Sequence, residues 1–274
     1  YPLILGHEPL GTIAVIGEEA SRRWSVTVGD RVAVISDYHC GRCQVCQGGT
    51  GEPCPDWGYY GHTGLERPPG LWGGYAEYMY LPPGAKVHPM DKTLPAEVAA
   101  MFNPMGAGFA WAVEAPDLQP GQSIAILGPG QRGLCSVIAA REAGASFVAV
   151  TGLGRDEHKL ALARELGADV AIDAEVEDPV ERVKDATGGR GVDVVLDASS
   201  YSVEAVAQAV RMARKGGTVV LAGIKAGRPM EGLSSDEIVH QQLTIKGVIG
   251  VEFSAFKRGV DAIESRRYPL EKLH

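Results

Sequence analysis

At 274 residues the chain is long enough to bury one large core or two medium ones. An apolar share of 45% and a charged share of 22% are ordinary for a globular protein. The net charge of −8 excludes a broad phosphate-binding surface, so neither nucleic acid nor an anionic membrane surface is an expected partner. No apolar run approaches the roughly 20 residues of a membrane-spanning helix, and no secretory leader pattern is visible. The expected location is cytoplasmic. The chain opens at Tyr1 within an apolar stretch and stops at His274 after a proline turn, so both ends read as cut.

In chain order, the first 90 or so residues are rich in Gly, Pro and Tyr, with short apolar runs at 11–16, 31–35 and 74–81 between turn residues. That texture predicts short antiparallel strands. Residues 95–115 read as a mostly helical connector. From about 120 the pattern becomes strand, glycine turn, helix, repeated. Strands are predicted at 123–127, 147–151, 170–173, 192–197, 218–222 and 244–248, with helices at 132–143, 155–166, 178–187 and 203–214. Strands alternating with helices imply a parallel sheet covered on both faces, and six suit one doubly wound domain.

The first of those strands runs into Gly128-Pro129-Gly130-Gln131-Arg132-Gly133. A G-x-G-x-x-G turn between strand and helix is a dinucleotide-binding loop. Its glycines permit the tight turn, the approach of the pyrophosphate and close helix packing, while the helix N-terminus faces the phosphates. The acid that usually ends the second strand and holds the ribose is missing. Gly152 or Gly154 stands there, followed by Arg155 and Asp156. An absent acid beside a guanidinium suits a 2′-phosphate and favours NADP, while Asp156, able to swing towards the ribose, keeps NAD open.

Four of the five cysteines, Cys40, Cys43, Cys46 and Cys54, lie as C-x2-C-x2-C-x7-C. In a chain without secretory features such clustering points to a closed, structural Cys₄ zinc site rather than disulfides. The flanking Arg42 and Gln44 are too few for a nucleic-acid-binding lobe. Cys135, on the helix after the glycine loop, reads as a buried small residue.

These motifs, with Gly6-His7-Glu8, the run from Gly73 to Tyr78 and Asn103-Pro104-Met105-Gly106, resemble the zinc-containing medium-chain dehydrogenase/reductase superfamily over essentially the whole chain. The pattern is most similar to the sorbitol, threonine and butanediol dehydrogenase branch. The resemblance implies an α/β fold: a doubly wound parallel-sheet Rossmann domain plus a GroES-like, mostly β catalytic domain with a zinc lobe. It implies a catalytic domain over 1–108, an NAD(P) domain over 109–250 and the start of a return to the catalytic domain at 251–274. The implied cofactors are structural and catalytic zinc and NAD or NADP. His7 matches the histidine ligand of the catalytic metal, and Glu8 the adjacent acid, a direct or nearby ligand. The family's cysteine ligand and its proton relay would precede Tyr1.

Two departures stand out. Asn103 occupies a position that is acidic in the sorbitol and threonine types, and a following histidine is replaced by Ala110. His62 is a lesser candidate for lining the site, as are Met105 and Trp111. The implied reaction is hydride transfer between a small secondary alcohol, polyol or hydroxy-amino acid and NAD(P), in a cleft between the domains of a homodimer or homotetramer. The rivals are a zinc-free NADPH reductase of an activated double bond and a non-catalytic nucleotide-binding relative.

Overall fold

A computed structural model describes residues 2–48, 54–230 and 232–273. Two compact units emerge: residues 1–103 with 263–265, and residues 104–262 with 266–274.

In the first unit, β1 (Leu10–Thr12), β2 (Arg31–Val34) and β5 (Val87–Pro89) form an antiparallel sheet in the order β1-β2-β5. β3 (Asp37–Tyr38) and β4 (Gly58–Tyr59) form a second, two-stranded one. Short helices α1 (Glu18–Trp24), α2 (Gln44–Gly48) and α3 (Ala96–Ala99) complete it. With so little regular structure, aromatic packing carries the load. Trp72 stacks on Tyr38 with ring centroids 4.6 Å apart, and the Arg67 guanidinium lies over both rings at 5.2 and 5.3 Å. The Trp72 indole N–H donates to the Arg67 carbonyl at 2.8 Å, satisfying the donor that burial would otherwise strand.

Residues 74–81, expected as a strand, are irregular. The reason lies at the start of that segment. Gly73 and Gly74 are drawn against Leu5 and Gly6, so the run bends away, leaving Tyr75 and Tyr78 largely exposed. α1 was not anticipated, because its seven residues carry charge almost all round and bury none of their side chains.

Helix α4 (Phe102–Phe109) begins with the last two residues of the 1–103 segment and continues into the second unit, where it passes into a π-helical turn at Ala110–Glu114. Its sheet comprises β6 (Ser123–Leu127), β7 (Phe147–Gly152), β8 (Val170–Asp173), β9 (Val192–Asp197), β10 (Ala213–Leu221) and β11 (Thr244–Gly247), all parallel, in the order β11-β10-β9-β6-β7-β8. Counted within this unit that is 6-5-4-1-2-3, the dinucleotide-binding order, with its switch point between β6 and β9. The crossovers use α5 (Gln131–Glu142), α6 (Glu157–Glu165), α7 (Pro179–Ala186), α8 (Glu204–Met212) and α9 (Ser235–Gln241), followed by α10 (Phe253–Glu264). Local signals set these boundaries. Asp178 caps α7 by accepting from the amides of Val180 and Glu181, with Pro179 at the first helical position. Ala125, Leu127, Ala149, Ile172, Val195 and Val219, from five adjacent strands, form a core with no more than 1% exposure at any of them. That rigid layer fixes the strand ends from which the cofactor loop springs.

Candidate functional site

The glycine loop joins the C-terminal end of β6 to α5. Gly128 has φ +101°, a conformation open to glycine, and a Cβ there would meet the Ser199 backbone at 3.1 Å. A Cβ on Gly133 would lie 2.0 Å from the Gly128 carbonyl oxygen, so only glycine lets the helix seat on the turn. Gly130 has nothing within 4 Å of its own would-be Cβ, which leaves open space beside the helix N-terminus. Gln131, Arg132 and Gly133 occupy the first helical positions, where the positive end of the helix dipole lies. The cradle suits a pyrophosphate, since the helix N-terminus opens beside the space around Gly130, where a Cβ would meet nothing within 4 Å. Overpacking of this kind costs about 1–3 kcal/mol. Gly133→Ala is therefore expected to weaken dinucleotide binding about tenfold or more, read by fluorescence titration, with the fold retained by circular dichroism.

Gly152 is the last residue of β7, and a Cβ there would meet the Pro129 ring of the loop at 2.8 Å. Gly154 and Arg155 open a single 3₁₀ turn before α6, and Arg155 is exposed. Asp156 is turned towards its own helix, where Lys159 Nζ sits 2.7 Å from its carboxylate.

A feature the sequence did not single out lies at the switch point. Asp197, at the end of β9 and paired with Leu127, is completely buried. Its Oδ1 accepts from the Ser199 amide at 3.0 Å and the Ser199 hydroxyl at 2.6 Å. Lys225 Nζ pairs with Oδ2 at 2.7 Å and donates to the Ser199 carbonyl. An acid closing the apolar run from Val194 to Leu196 was the available signal.

In the first unit the four cysteines converge, with all sulfurs within 4.8 Å of one another. The Cys40–Cys46, Cys43–Cys46 and Cys43–Cys54 separations are 3.9, 3.5 and 3.8 Å. A tetrahedron with Zn–S bonds of about 2.3 Å has edges of about 3.8 Å, so the set fits zinc. The environment is polarised: the Arg42 amide, aided by that of Cys43, draws the Cys40 thiol down to about 6. Burial and the neighbouring sulfurs push Cys46 up to about 12. Four apposed thiols resist joint ionisation unless a cation offsets the charge. Cys46→Ser is expected to remove the lobe's zinc, seen by elemental analysis, and to lower the melting temperature by several degrees.

His7 and Glu8 sit together in a tight turn, His7 Nε2 lying 3.7 Å from Glu8 Oε1. The turn is clamped by glycines. The Gly74 amide donates to the Gly6 carbonyl and the Tyr75 amide to that of Leu5, both at 2.9 Å. A Cβ on Gly73 would lie 2.0 Å from the Ile4 carbonyl oxygen. Thus Gly6-His7-Glu8 and Gly73-Gly74-Tyr75 form one local structure. The His62 and Tyr59 rings lie 6.1 and 5.9 Å from that of His7. Asn103 is buried, with Nδ2 donating to Ser36 Oγ at 3.3 Å. Among the described residues, no third His, Cys, Asp or Glu clusters with His7 and Glu8. Trp111 lies on the π-helical turn with Arg132 over its ring, Met105 is buried in α4, and Cys135 is buried in α5.

Residues 1–92 match the profile of the alcohol dehydrogenase GroES-like domain, and residues 133–265 that of the zinc-binding dehydrogenases. All of this chain aligns with the "Probable alcohol dehydrogenase adh" of Mycobacterium tuberculosis at 46% identity, covering 76% of that protein. The sorbitol dehydrogenase of Bacillus subtilis is 33% identical over 93% of this chain and 70% of its own. A structure from Sinorhizobium meliloti 1021 solved bound to NADP superposes with a TM-score of 0.82 at 29% identity, over 99% of this chain and 75% of that one. The chain belongs to the zinc-containing alcohol dehydrogenase family of the medium-chain dehydrogenases and is an oxidoreductase. No described helix is long and apolar enough to cross a membrane.

Proposed function

We propose that this protein oxidises a small secondary alcohol, polyol or hydroxy-amino acid reversibly to its carbonyl, with NAD(P) as hydride acceptor and zinc as Lewis acid. The observation that carries the reading is the glycine cradle at the switch point of a 3-2-1-4-5-6 sheet, in a chain whose Gly6-His7-Glu8 turn presents His7 beside Glu8. In this reading residues 1–108 are the catalytic part, 109–250 the cofactor part and 251–274 the start of the return.

When bound, zinc would lower the pKa of the substrate hydroxyl towards neutrality, and the nicotinamide would take the hydride. The chain's own residues set the stage for both. His7 Nε2 and the Glu8 carboxylate are the two metal donors, and the glycine clamp from Gly73 and Gly74 keeps their turn from relaxing. The amides opening α5 hold the pyrophosphate. Arg132, with its guanidinium 5.8 Å from the Trp111 ring, is kept at the rim of that cradle. The Cys40/Cys43/Cys46/Cys54 lobe binds a structural zinc, distant from proton or hydride transfer in role. Small alcohols and carbonyls are the partners, the location is cytoplasmic and the assembly is a homodimer or homotetramer.

The test is metal analysis of the purified protein combined with a screen of secondary alcohols, polyols and hydroxy-amino acids against NAD and NADP separately. Turnover that falls on chelation and returns with zinc supports the reading. Full zinc loading and dinucleotide binding without turnover on any of them leaves a nucleotide-binding relative. NADPH-dependent reduction of an activated double bond by zinc-free protein moves it to the reductase class.

A further inference from the structure

The ribose end of the cofactor site lacks the usual acid on β7, where Gly152 ends the strand. The next strand over supplies carboxylates instead. In the parallel register Gly152 pairs with Asp173, the last residue of β8, and the Ala174 amide donates to the Gly152 carbonyl at 2.9 Å. The chain then turns back, with the Glu175 amide donating to Asp173 Oδ1 at 3.0 Å. Glu175 Oε2 accepts from the Gly154 amide at 2.8 Å. A Cβ placed on Gly154 would lie 3.1 Å from that oxygen and 3.3 Å from Asp173 Oδ2. Both carboxylates therefore crowd Gly154, the second residue after the end of β7, and Gly152 at that end lies close to Pro129 of the phosphate loop.

On the dinucleotide reading above, we propose that Asp173 and Glu175 replace the missing β7 acid and make this enzyme prefer NAD over NADP. Two groups near the turn attract anions: the Gly154 amide and the exposed Arg155 side chain. The amide already holds a carboxylate. A 2′-phosphate, with close to two negative charges, would have to displace Glu175 or sit beside it and Asp173. A ribose diol instead donates to carboxylate oxygens. Asp156 is unsuited to that task, being paired with Lys159. The absence of an acid on β7, read from sequence as room for a 2′-phosphate, is thus filled from β8.

The test is isothermal titration of the zinc-loaded full chain with NAD and NADP, and with adenosine 5′-monophosphate and its 2′,5′-bisphosphate, which isolate the ribose end from the nicotinamide. NAD is expected to bind about tenfold or more tighter than NADP, the size of repulsion that one carboxylate exerts on a dianion a few ångströms away in a water-like dielectric. Glu175→Gln, an exposed position where the fold is safe, should tighten NADP and the bisphosphate and weaken NAD and the monophosphate; D173N/E175Q should narrow the preference further. Unfolding curves verify that each variant is folded. NADP bound as tightly as NAD by the parent protein, with the grip lost in Arg155→Ala, would overturn the proposal while leaving the dinucleotide reading intact. A preference unmoved in the folded variants would also overturn it. Failure of every one of the four ligands to bind would sink the cofactor reading itself.

Discussion

Replacing His7 by alanine is expected to lower kcat/KM for the alcohol by about a thousandfold or more, since a Lewis acid contributes several kcal/mol to the transition state and each 1.36 kcal/mol is a factor of ten. An alcohol hydroxyl ionises far above neutral pH, so without a metal little alkoxide character is available to push the hydride out. On the proposed reading His7 is one of the two metal donors, so its loss halves the donor set. The side chain is 42% exposed, so its removal opens no cavity in the core. The glycine clamp, made by backbone groups, survives it. The expected signature is therefore divided: turnover collapses, dinucleotide affinity at the Gly128–Gly133 cradle is unchanged, and the zinc of the four-cysteine lobe stays. Elemental analysis, titration with NAD and a melting curve read the three separately. Activity within threefold of the parent, with unaltered zinc, would remove His7 from the metal site.

The second large effect is on stability. Lys225→Met should destabilise the protein by about 3–5 kcal/mol, because it leaves a buried carboxylate without its counter-charge. Asp197 is fully buried and the Lys225 side chain is 12% exposed, so water does little to compensate. Ser199 continues to donate to Oδ1, but Oδ2 loses its ammonium. Replacing both partners, as Asp197→Leu with Lys225→Met, should recover much of the loss, since a well-packed apolar pair is often as stable as a buried ion pair. Urea unfolding of the two variants gives the comparison. A single variant within about 1 kcal/mol of the parent, the range of an exposed pair, would show that the ammonium is solvated after all.

How much of this was readable beforehand differs between the two halves. In the second unit each predicted strand is present, because apolar runs flanked by glycine turns and capped helices declare the parallel sheet residue by residue. Even there, what lies between strands was hidden. Nothing in the order of residues says that Asp173 and Glu175 stand beside Gly154, or that Lys225 reaches Asp197; the strand register decides both. In the first unit the zinc lobe was legible from spacing alone, since four thiols within fifteen residues have few other uses. The run at 74–81 misled because its apolar residues follow a strand-like rhythm while its glycines are committed elsewhere. Asn103 stood out by resemblance, but only coordinates place it under the β2–β3 connection, against Ser36. The helix α10 was read only as a returning segment, although its buried Phe256, Val260 and Ile263 fall at helical spacing.

The pairing of Leu5 and Gly6 with Gly74 and Tyr75 has a kinetic corollary. Neither partner segment holds its shape by local propensity, and they meet only after most of the intervening chain has found its place, which makes the closure slow and entropically late. The Gly6-His7-Glu8 turn should accordingly be among the last parts of its unit to mature during refolding and among the first to exchange amide hydrogens in the native state. A chain nicked between the two segments would be fit to carry cofactor long after it had lost the means to use it.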